Sequence, residues 1–466
     1  MRNRLHVDLD MLHGPILKNV VLFAIPLMLT GIFQLFYNAA DLMVVGRFGG
    51  AQSSADMAAV GSTGSLINMM VQLFMGLSIG ASVAIAEHFG AEKYKEANDA
   101  VHTAIAVSVV SGIIMGIVGI ILAPWLLALT DTPADVMDKA VAYVRIYFAG
   151  LPASMVFNFG AAILRSVGDT RRPLYYLVIS GVLDIIMNLI AVCVFHMGAA
   201  GVALTTAIAQ VIAATLTVIC LMRTSGCIHL DIKKIRIVPE QLKKIAWVGL
   251  PTGIQSTLFS ISNVMIQSSI NSFGTATMAG NAAGSSLDSF VNIATNSIGQ
   301  ASLAFCGQNM GARKYDRIKR IVLICGGLVV SIGLALGGAM ILGGPMLLRA
   351  MFTDDAAVTE VAMTRIRVLC MTYFVCGLMD MMACTMRGMG NALMPMIVSF
   401  IGVCGIRLAW LFTVFARYRT LTFLYLSYPV TWTVTFLVHV VCFCILYKRL
   451  IQPAKRTSGQ AKAQSV

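Results

Sequence analysis

The sequence predicts an all-α polytopic membrane protein, with twelve transmembrane helices in two six-helix bundles. Three observations predict it. The 466 residues are 58% hydrophobic and only 12% charged, about half the charge of an ordinary soluble domain. Apolar runs of about 20 residues, long enough to cross a bilayer as helices, recur along the chain. The chain also repeats itself at a near-constant spacing, which divides the runs into two sets of six.

The spans of the first set cover about 16–42, 57–86, 99–123, 137–163, 171–195 and 198–222. The glycine turn GRFGG (46–50) closes the first, FGAEKY (89–94) follows the second, and GDTRRP (168–173) separates the fourth from the fifth. The spans of the second set cover about 242–272, 278–308, 318–343, 359–385, 391–415 and 421–447, with MGARKY (310–315) and GMGN (388–391) at their breaks. The strand-like alternation of a β-barrel does not occur. The start, MRNRLHVDLDMLHGP, lacks the basic, apolar and small-residue succession of a cleaved signal peptide, so the first span is expected to be retained. Residues 451–466 read as a disordered tail. The 11 Cys are scattered without a CxxC and read as small apolar residues, with no disulfide or metal site.

A net charge of +13 invites a nucleic-acid reading, but its distribution argues against one. With the N-terminus inside, the inner loops and tails hold 25 of the 34 Lys and Arg, and the outer side holds eight. That imbalance places both termini in the cytoplasm. The charge is a topology signal rather than a binding patch, and no nucleic-acid partner is expected.

IPLMLTGIFQLF (25–36) resembles LPTGIQSTLFSI (250–261), so Pro26 maps to Pro251, an offset of 225. FGAEKY maps to MGARKY with an offset of 221, and LRSVGDTRRP (164–173) to MRGMGNALMP (386–395) with an offset of 222. Six spans per half insert both halves the same way up, giving parallel repeats about an axis along the membrane normal. The expected organisation is an N-terminal lobe (1–222), a cytoplasmic linker (223–241), a C-terminal lobe (242–450) and the tail. Two such lobes can rock about a central cavity, which points to a transporter.

The run from QLFYNAADLMVVGRFGG through ADMAAVGSTGSL resembles the first-helix signature of the multidrug and toxic compound extrusion (MATE) transporters. ILRSVGDTRRP, HMGAAGVALTTAIAQ and CGQNMGARKY resemble three further markers of that family. The resemblance extends from about residue 14 to 450. It implies a V-shaped cleft between the bundles and the export of organic cations in exchange for Na⁺ or H⁺. It also implies a bacterial plasma (inner) membrane setting, no cofactor beyond the coupling ion, and function as a monomer.

Gln34, Asn38 and Asp41 are spaced i, i+4, i+7, on one stripe of the first helix. A lipid-facing Asp at the bilayer midplane costs roughly 2.5–3.5 kcal/mol on insertion scales, so the stripe should face the bundle interior or a wet cavity. The competing reading is that Asp41 is a hydrated helix end beside Arg47. The resemblance places an essential acidic residue at Asp41. Asp184 and Asn188 share a face of the fifth span. The family usually shows Asn at position 184, with Asn or Asp at 188, so Asp184 is a departure. With Asn158 on the fourth span and Thr205 or Thr206 on the sixth facing them, these residues define an expected polar pocket of the first lobe. Its oxygens suit Na⁺ at Asp41 and Asp184, or the carboxylates hold a proton instead.

The second lobe does not copy these acids: Asp41 maps to Ile266 and Asp184 to Ile406, while Asn38 keeps its type at Asn263. Its own polar set is a stripe of Asp288, Asn292, Asn296 and Gln300, together with Asp380 and Arg407. Arg407 is expected to pair with Asp288 or Asp380, because an unpaired charge is the costlier state. That set is either structural or concerned with gating and substrate. Some family members couple through acids of this lobe, but the seventh span offers only Gln255. Pro26 and Pro251 each remove a helix hydrogen bond, and are either hinges or static kinks. No phosphate loop, metalloprotease motif or nucleophile–base pair is present, so an enzyme is not expected. The alternatives are a lipid-linked precursor flippase of the same architecture, which requires a strongly cationic cavity, and a non-transporting receptor, which requires a signalling domain.

Overall fold

The computed structural model describes residues 9–48, 53–129, 134–352 and 355–463. Gly49 and Gly50 of the predicted first turn, and residues 464–466 of the predicted tail, lie outside the described residues. Among the described residues the fold is helical, without strands. The helices of the first half are α1 (Ile16–Phe48), α2 (Ser53–Gly90), α3 (Tyr94–Leu129), α4 (Ala134–Ser166), α5 (Arg171–Cys193) and α6 (Gly198–Arg223). Those of the second half are α7 (Pro239–Asn271), α8 (Thr275–Gly311), α9 (Tyr315–Met351), α10 (Ala356–Cys370), α11 (Tyr373–Gly388), α12 (Leu393–Phe415) and α13 (Leu421–Ala463).

Twelve spans result because α10 and α11 form one broken span bent by 49°. Nine helices are individually apolar enough to cross a membrane among the described residues. The other two, α7 and α8, have ample length but too many polar residues to pass the same test. α12 is a single rod interrupted by two π-helical stretches, Phe400–Gly405 and Leu411–Phe415. α13 continues through residues read as a tail, as far as Ala463.

The duplication is visible in backbone detail. After α4 the chain turns through Gly168 at φ +101°; after α11 it turns through Gly390 at φ +82°. Both are left-handed positions that favour glycine. The amide of Gly168 donates to Arg165 O and that of Gly390 to Arg387 O; Asp169 N donates to Leu164 O and Asn391 N to Met386 O. The side chains of Asp169 and Asn391 then accept from the amides of Arg172 and Met394, capping the next helix in each half. The α2–α3 and α8–α9 corners match in the same way, with Glu92 and Arg313 both at φ 57°.

The chain forms two compact units whose limits do not follow the linear division at 222 and 242. One unit holds Met1–Asp10 and Ile25–Thr257; the other holds Met11–Ala24 and Leu258–Val466. α1 and α7 are therefore each shared, and α1 divides one residue before Pro26. The physical reason lies in packing. In the first unit, Gly76-x-x-x-Gly80 of α2 meets Gly249-x-x-x-Gly253 of α7. A β-carbon on Gly249 would lie 2.7 Å from Leu77 Cα, and one on Gly76 would lie 2.5 Å from the Gly249 carbonyl oxygen. Small residues at this spacing let helix backbones touch within a bilayer. Glu87 and Lys244 pair at 2.8 Å at the end of the same contact. In the second unit, Asn309 and Lys314 donate to the carbonyls of Met11 and Leu12, and Phe23 packs edge-on against Phe305.

The segment predicted to be a cytoplasmic linker is strapped to the start of α3. Asn98 donates to the carbonyls of Cys227 and His229, the Asp231 amide donates to His102 Nε2, and Arg236 pairs with Asp99 at 2.8 Å.

The glycine contact carries a test. Gly253→Leu forces backbone displacement where α2 and α7 touch, and is expected to destabilise the protein by about 1–3 kcal/mol. Gly327→Ala, where nothing lies within 4 Å of an added β-carbon, is the control and should not destabilise the protein, since alanine is the better helix former. Thermal unfolding of the purified protein in detergent, followed by a thiol-reactive dye, compares the two.

Candidate functional site

α5 is arranged inside out relative to a helix of a soluble protein. Ile179, Val182, Leu183, Ile186 and Ile190 are exposed, while Ser180, Asp184 and Asn188 are buried on the opposite face. A bilayer solvates the first set and not the second, so the polar stripe must find partners within the unit.

It finds them on α1 and α6. The Asn188 side-chain amide donates to Asp41 Oδ1 at 2.7 Å and to Asp184 Oδ2 at 2.9 Å. The Thr205 hydroxyl donates to Asn188 Oδ1, which fixes which end of the amide faces the acids. Asp184 and Asn188 are 0% exposed and Asp41 is 6% exposed. The second oxygen of Asp184 is buried without a hydrogen-bond partner. Among the described residues, no Lys, Arg or His nitrogen lies within 4 Å of either carboxylate.

Asp41 faces a cavity of about 360 Å³ in the first unit; Asp184, Asn188 and Thr205 stand behind it. Gln34, Asn38 and Asn158 line this cavity too, although the Asn158 amide also donates to the Ser154 carbonyl, one turn back. Tyr37 and Thr206 contribute buried hydroxyls without partners. Tyr143 and Tyr147 complete an aromatic wall. The tyrosines escaped the sequence reading, though Tyr143 and Tyr147 stand at i, i+4 beside the predicted polar residues.

A second cavity, of about 340 Å³, lies within the other unit. Asp288, Asn292, Asp380, Arg407 and Asn263 line it, as does Arg365. Gln255 does not: it is buried in the first unit. The stripe predicted along α8 is also divided, since Asn296 is exposed.

The expected Arg407–aspartate pair does not form. Arg365, one of the eight Lys and Arg that the charge distribution assigns to the outer side and outer helix ends, is buried and pairs with Asp288 at 2.8 Å. Its Nη1 also donates to Asn281 Oδ1, which accepts from the Tyr425 hydroxyl as well. Asp288 is thereby neutralised from α10. Arg407 instead donates through Nη1 to Ser262 Oγ and Asn263 Oδ1, both at 3.2 Å, and lies over the Tyr428 ring.

A family model described as MatE matches residues 26–190 and 251–413, so its two copies begin at Pro26 and Pro251. The "Probable multidrug resistance protein YoeA" of Bacillus subtilis is 24% identical over 444 residues, covering 93% of this chain and 94% of that protein. The "Probable multidrug resistance protein NorM" of Thermotoga maritima is 23% identical, with 84% of each chain covered. The fold matches the structure described as "Outward-facing conformation of a multidrug resistance MATE family transporter of the MOP superfamily" with a TM-score of 0.88. That match has 21% identity and covers 97% of this chain and 100% of the other. With most of both halves matched, the chain belongs to the MatE family, the multidrug and toxic compound extrusion transporters, and is a multi-pass membrane transporter rather than an enzyme.

Proposed function

We propose that this protein is a secondary antiporter that exports organic cations by alternating access, driven by the entry of Na⁺ or H⁺ at Asp41 and Asp184. The observation that carries the proposal is the bridged carboxylate pair. One neutral amide serves two buried acids, one carboxylate oxygen is left orphaned, and among the described residues no basic side chain lies within 4 Å of them. Two like charges in a poorly solvated site require a compensating positive charge. A proton or a Na⁺ ion supplies it, and hard oxygen donors suit either. The names borne by the relatives, which concern multidrug resistance, support a drug-like cargo.

In this reading an ion from the outer side reaches Asp41 through the cavity it lines. Charge neutralisation lets α1 and α5 repack about Asn188, and affinity for the cationic substrate falls as the substrate is released outward. The ion then leaves to the cytoplasm. The membrane potential adds about 2.3 kcal/mol per charge per 100 mV, enough for one ion to bias a two-state cycle. Pro26 removes the bond that its amide nitrogen would make to Leu22, and the Thr30 hydroxyl bonds the Pro26 carbonyl at 2.7 Å. α1 is thus weakened at the point where it passes out of one packed unit, which suits a hinge; Pro251 is the counterpart in α7. The setting is a bacterial plasma membrane with both termini cytoplasmic, and the monomer is the working unit. The flippase alternative requires a strongly cationic cavity, and of the two arginines that line the second unit's cavity Arg365 is already neutralised by Asp288.

Ethidium efflux from vesicles, with the Na⁺ gradient and the pH gradient imposed separately, tests the reading. One gradient should drive efflux and the other should not. Efflux driven equally well with neither gradient would end the antiport assignment. Asp41→Asn and Asp184→Asn should each reduce gradient-driven efflux to the level of empty vesicles. Wild-type rates in both variants would remove these acids from the coupling step. Asn188→Leu, which strips both carboxylates of their shared donor, should abolish coupling as well, while Asn188→Asp should shift the ion dependence rather than silence transport.

A further inference from the structure

The inner ends of α1 and α7 are held crosswise. α1 begins in the second unit and continues in the first, and α7 does the reverse. A corner of the other half fixes each beginning. The lead-in to α1, residues 11–14, offers carbonyls that precede the first helical bond, from Asn19 N to Pro15 O. The α8–α9 corner takes up three of them. Met11 O accepts from Asn309 Nδ2 at 3.1 Å and from Arg317 Nε at 3.3 Å. Leu12 O accepts from Lys314 Nζ at 3.2 Å, and Gly14 O accepts from Arg317 Nη2. Two of the three donors are cations, which make the stronger class of hydrogen bond. Asn309 is 0% exposed and donates to Phe305 O as well, while its own side-chain oxygen is buried without a partner. A buried amide with an unmet acceptor is an unfavourable choice for a residue that only fills space, so its donations define its role.

The first half repeats the arrangement with different chemistry. By the offset of 221, Asn309 corresponds to His88 and Arg313 to Glu92; by the offset of 225, residues 11–14 correspond to 236–239. Both corners turn at φ 57°, and Lys93 N bonds back to His88 O as Lys314 N does to Asn309 O. His88 Nε2 meets Gln241 Oε1, in the first turn of α7, at 3.0 Å, and Arg236 pairs with Asp99. Unlike side chains at corresponding places thus hold the lead-in of the other half's first helix.

From this crosswise pattern we infer that the α8–α9 corner is a clasp that makes the first turns of α1 move with the second unit during transport. Asn309 and Arg317 are positioning residues in that cycle. Neither lines either cavity described above, and both act through α1. From Ile16 to Asp41 the helix spans roughly 38 Å, at about 1.5 Å per residue. A rod held at one end by the second unit and packed along the rest in the first is placed to carry displacement between them. The inference rests on the transport reading for the motion itself, and adds which contact delivers it.

A Gly-Ser-Gly-Ser insertion between Gly14 and Pro15 keeps every bond of the clasp and slackens its tie to α1. Ethidium efflux from vesicles carrying the full chain should then fall about tenfold or more, while the ethidium Kd measured by anisotropy in detergent stays unchanged. Arg317→Gln should slow efflux about tenfold, the effect of one charge-assisted hydrogen bond, again at unchanged Kd. Asn309→Leu should act in the same direction. The insertion removes no contact, so the test survives if either substitution fails to fold. The same four residues inserted after Asn3, ahead of the clasp, should leave both quantities at wild-type values. Wild-type efflux from the Gly14–Pro15 insertion would reduce the clasp to a fold anchor and overturn the proposal, as would loss of ethidium binding in step with efflux. The antiport reading fails on a different result, wild-type efflux that ignores both gradients, because the clasp is judged by rate relative to wild type whatever drives it.

Discussion

Both protons of the Asn188 amide are committed to carboxylates, one on α1 and one a turn back on its own helix, and its oxygen is committed to Thr205 on α6. Three helices are thereby registered at one atom group in a medium that offers no substitute partners. In water a lost bond of this kind is replaced by solvent, and its net worth is small. In a lipid-facing bundle the alternative is an unsatisfied group at a cost of several kcal/mol. The rotation of α5 follows from this, with its isoleucines toward lipid and its polar stripe inward. The position of Asp41 at the wall of a cavity follows as well. The bridge satisfies shape and hydrogen bonding but leaves the charge unbalanced, and that remainder is what gives the site something to do.

The two halves agree in the features that depend on the backbone and differ in those that depend on side-chain charge. The corners at Gly168 and Gly390 match bond for bond because a left-handed turn and an Asx cap have few solutions. Where the first half holds Asp41, Asp184 and Asn188, the second half holds Ile266, Ile406 and Trp410. Ile266 is packed among Leu411, Phe415 and Leu424, with Trp410 against the same cluster. The same frame thus encloses a polar bridge in one half and a closed apolar contact in the other. The charges of the second half are found elsewhere, on α8, α10 and α12.

Much of the frame was legible because it rests on local rules. Apolar length marks most spans, and where α7 and α8 are too polar for that test, the repeat still places them. The i, i+4 arithmetic puts Gln34, Asn38 and Asp41 on one stripe and Asp184 with Asn188 on one face. It does not say that the two faces meet at a single amide, which depends on helix rotation. Arg365 was misplaced for a related reason. A charge near the end of an apolar run reads as hydrated, and only the packing of α10 on α8 reveals Asp288 beside it. The shared halves of α1 and α7 were hidden in the same sense. Both glycine pairs, 76 with 80 and 249 with 253, stand in the sequence, but a small-residue motif does not name its partner helix. The strapped linker shows the limit for polar segments, since His229 and Arg236 read equally well as solvated until Asn98 and Asp99 are seen against them.

The acid pair is the charge defect that this fold leaves open. Among the described residues Asp41 and Asp184 have no basic side chain within 4 Å, whereas the cavity of the other unit is lined by two arginines and two aspartates, of which Arg365 and Asp288 are paired. A protein that only needed stability would have closed the first defect as it closed that pair. In the proposed reading the missing counter-charge comes from an ion that binds and leaves, because the demand is for charge alone and the donors are hard oxygens. The potential across the membrane would act on such an ion, so the drive would come from the half that holds Asp41 and Asp184.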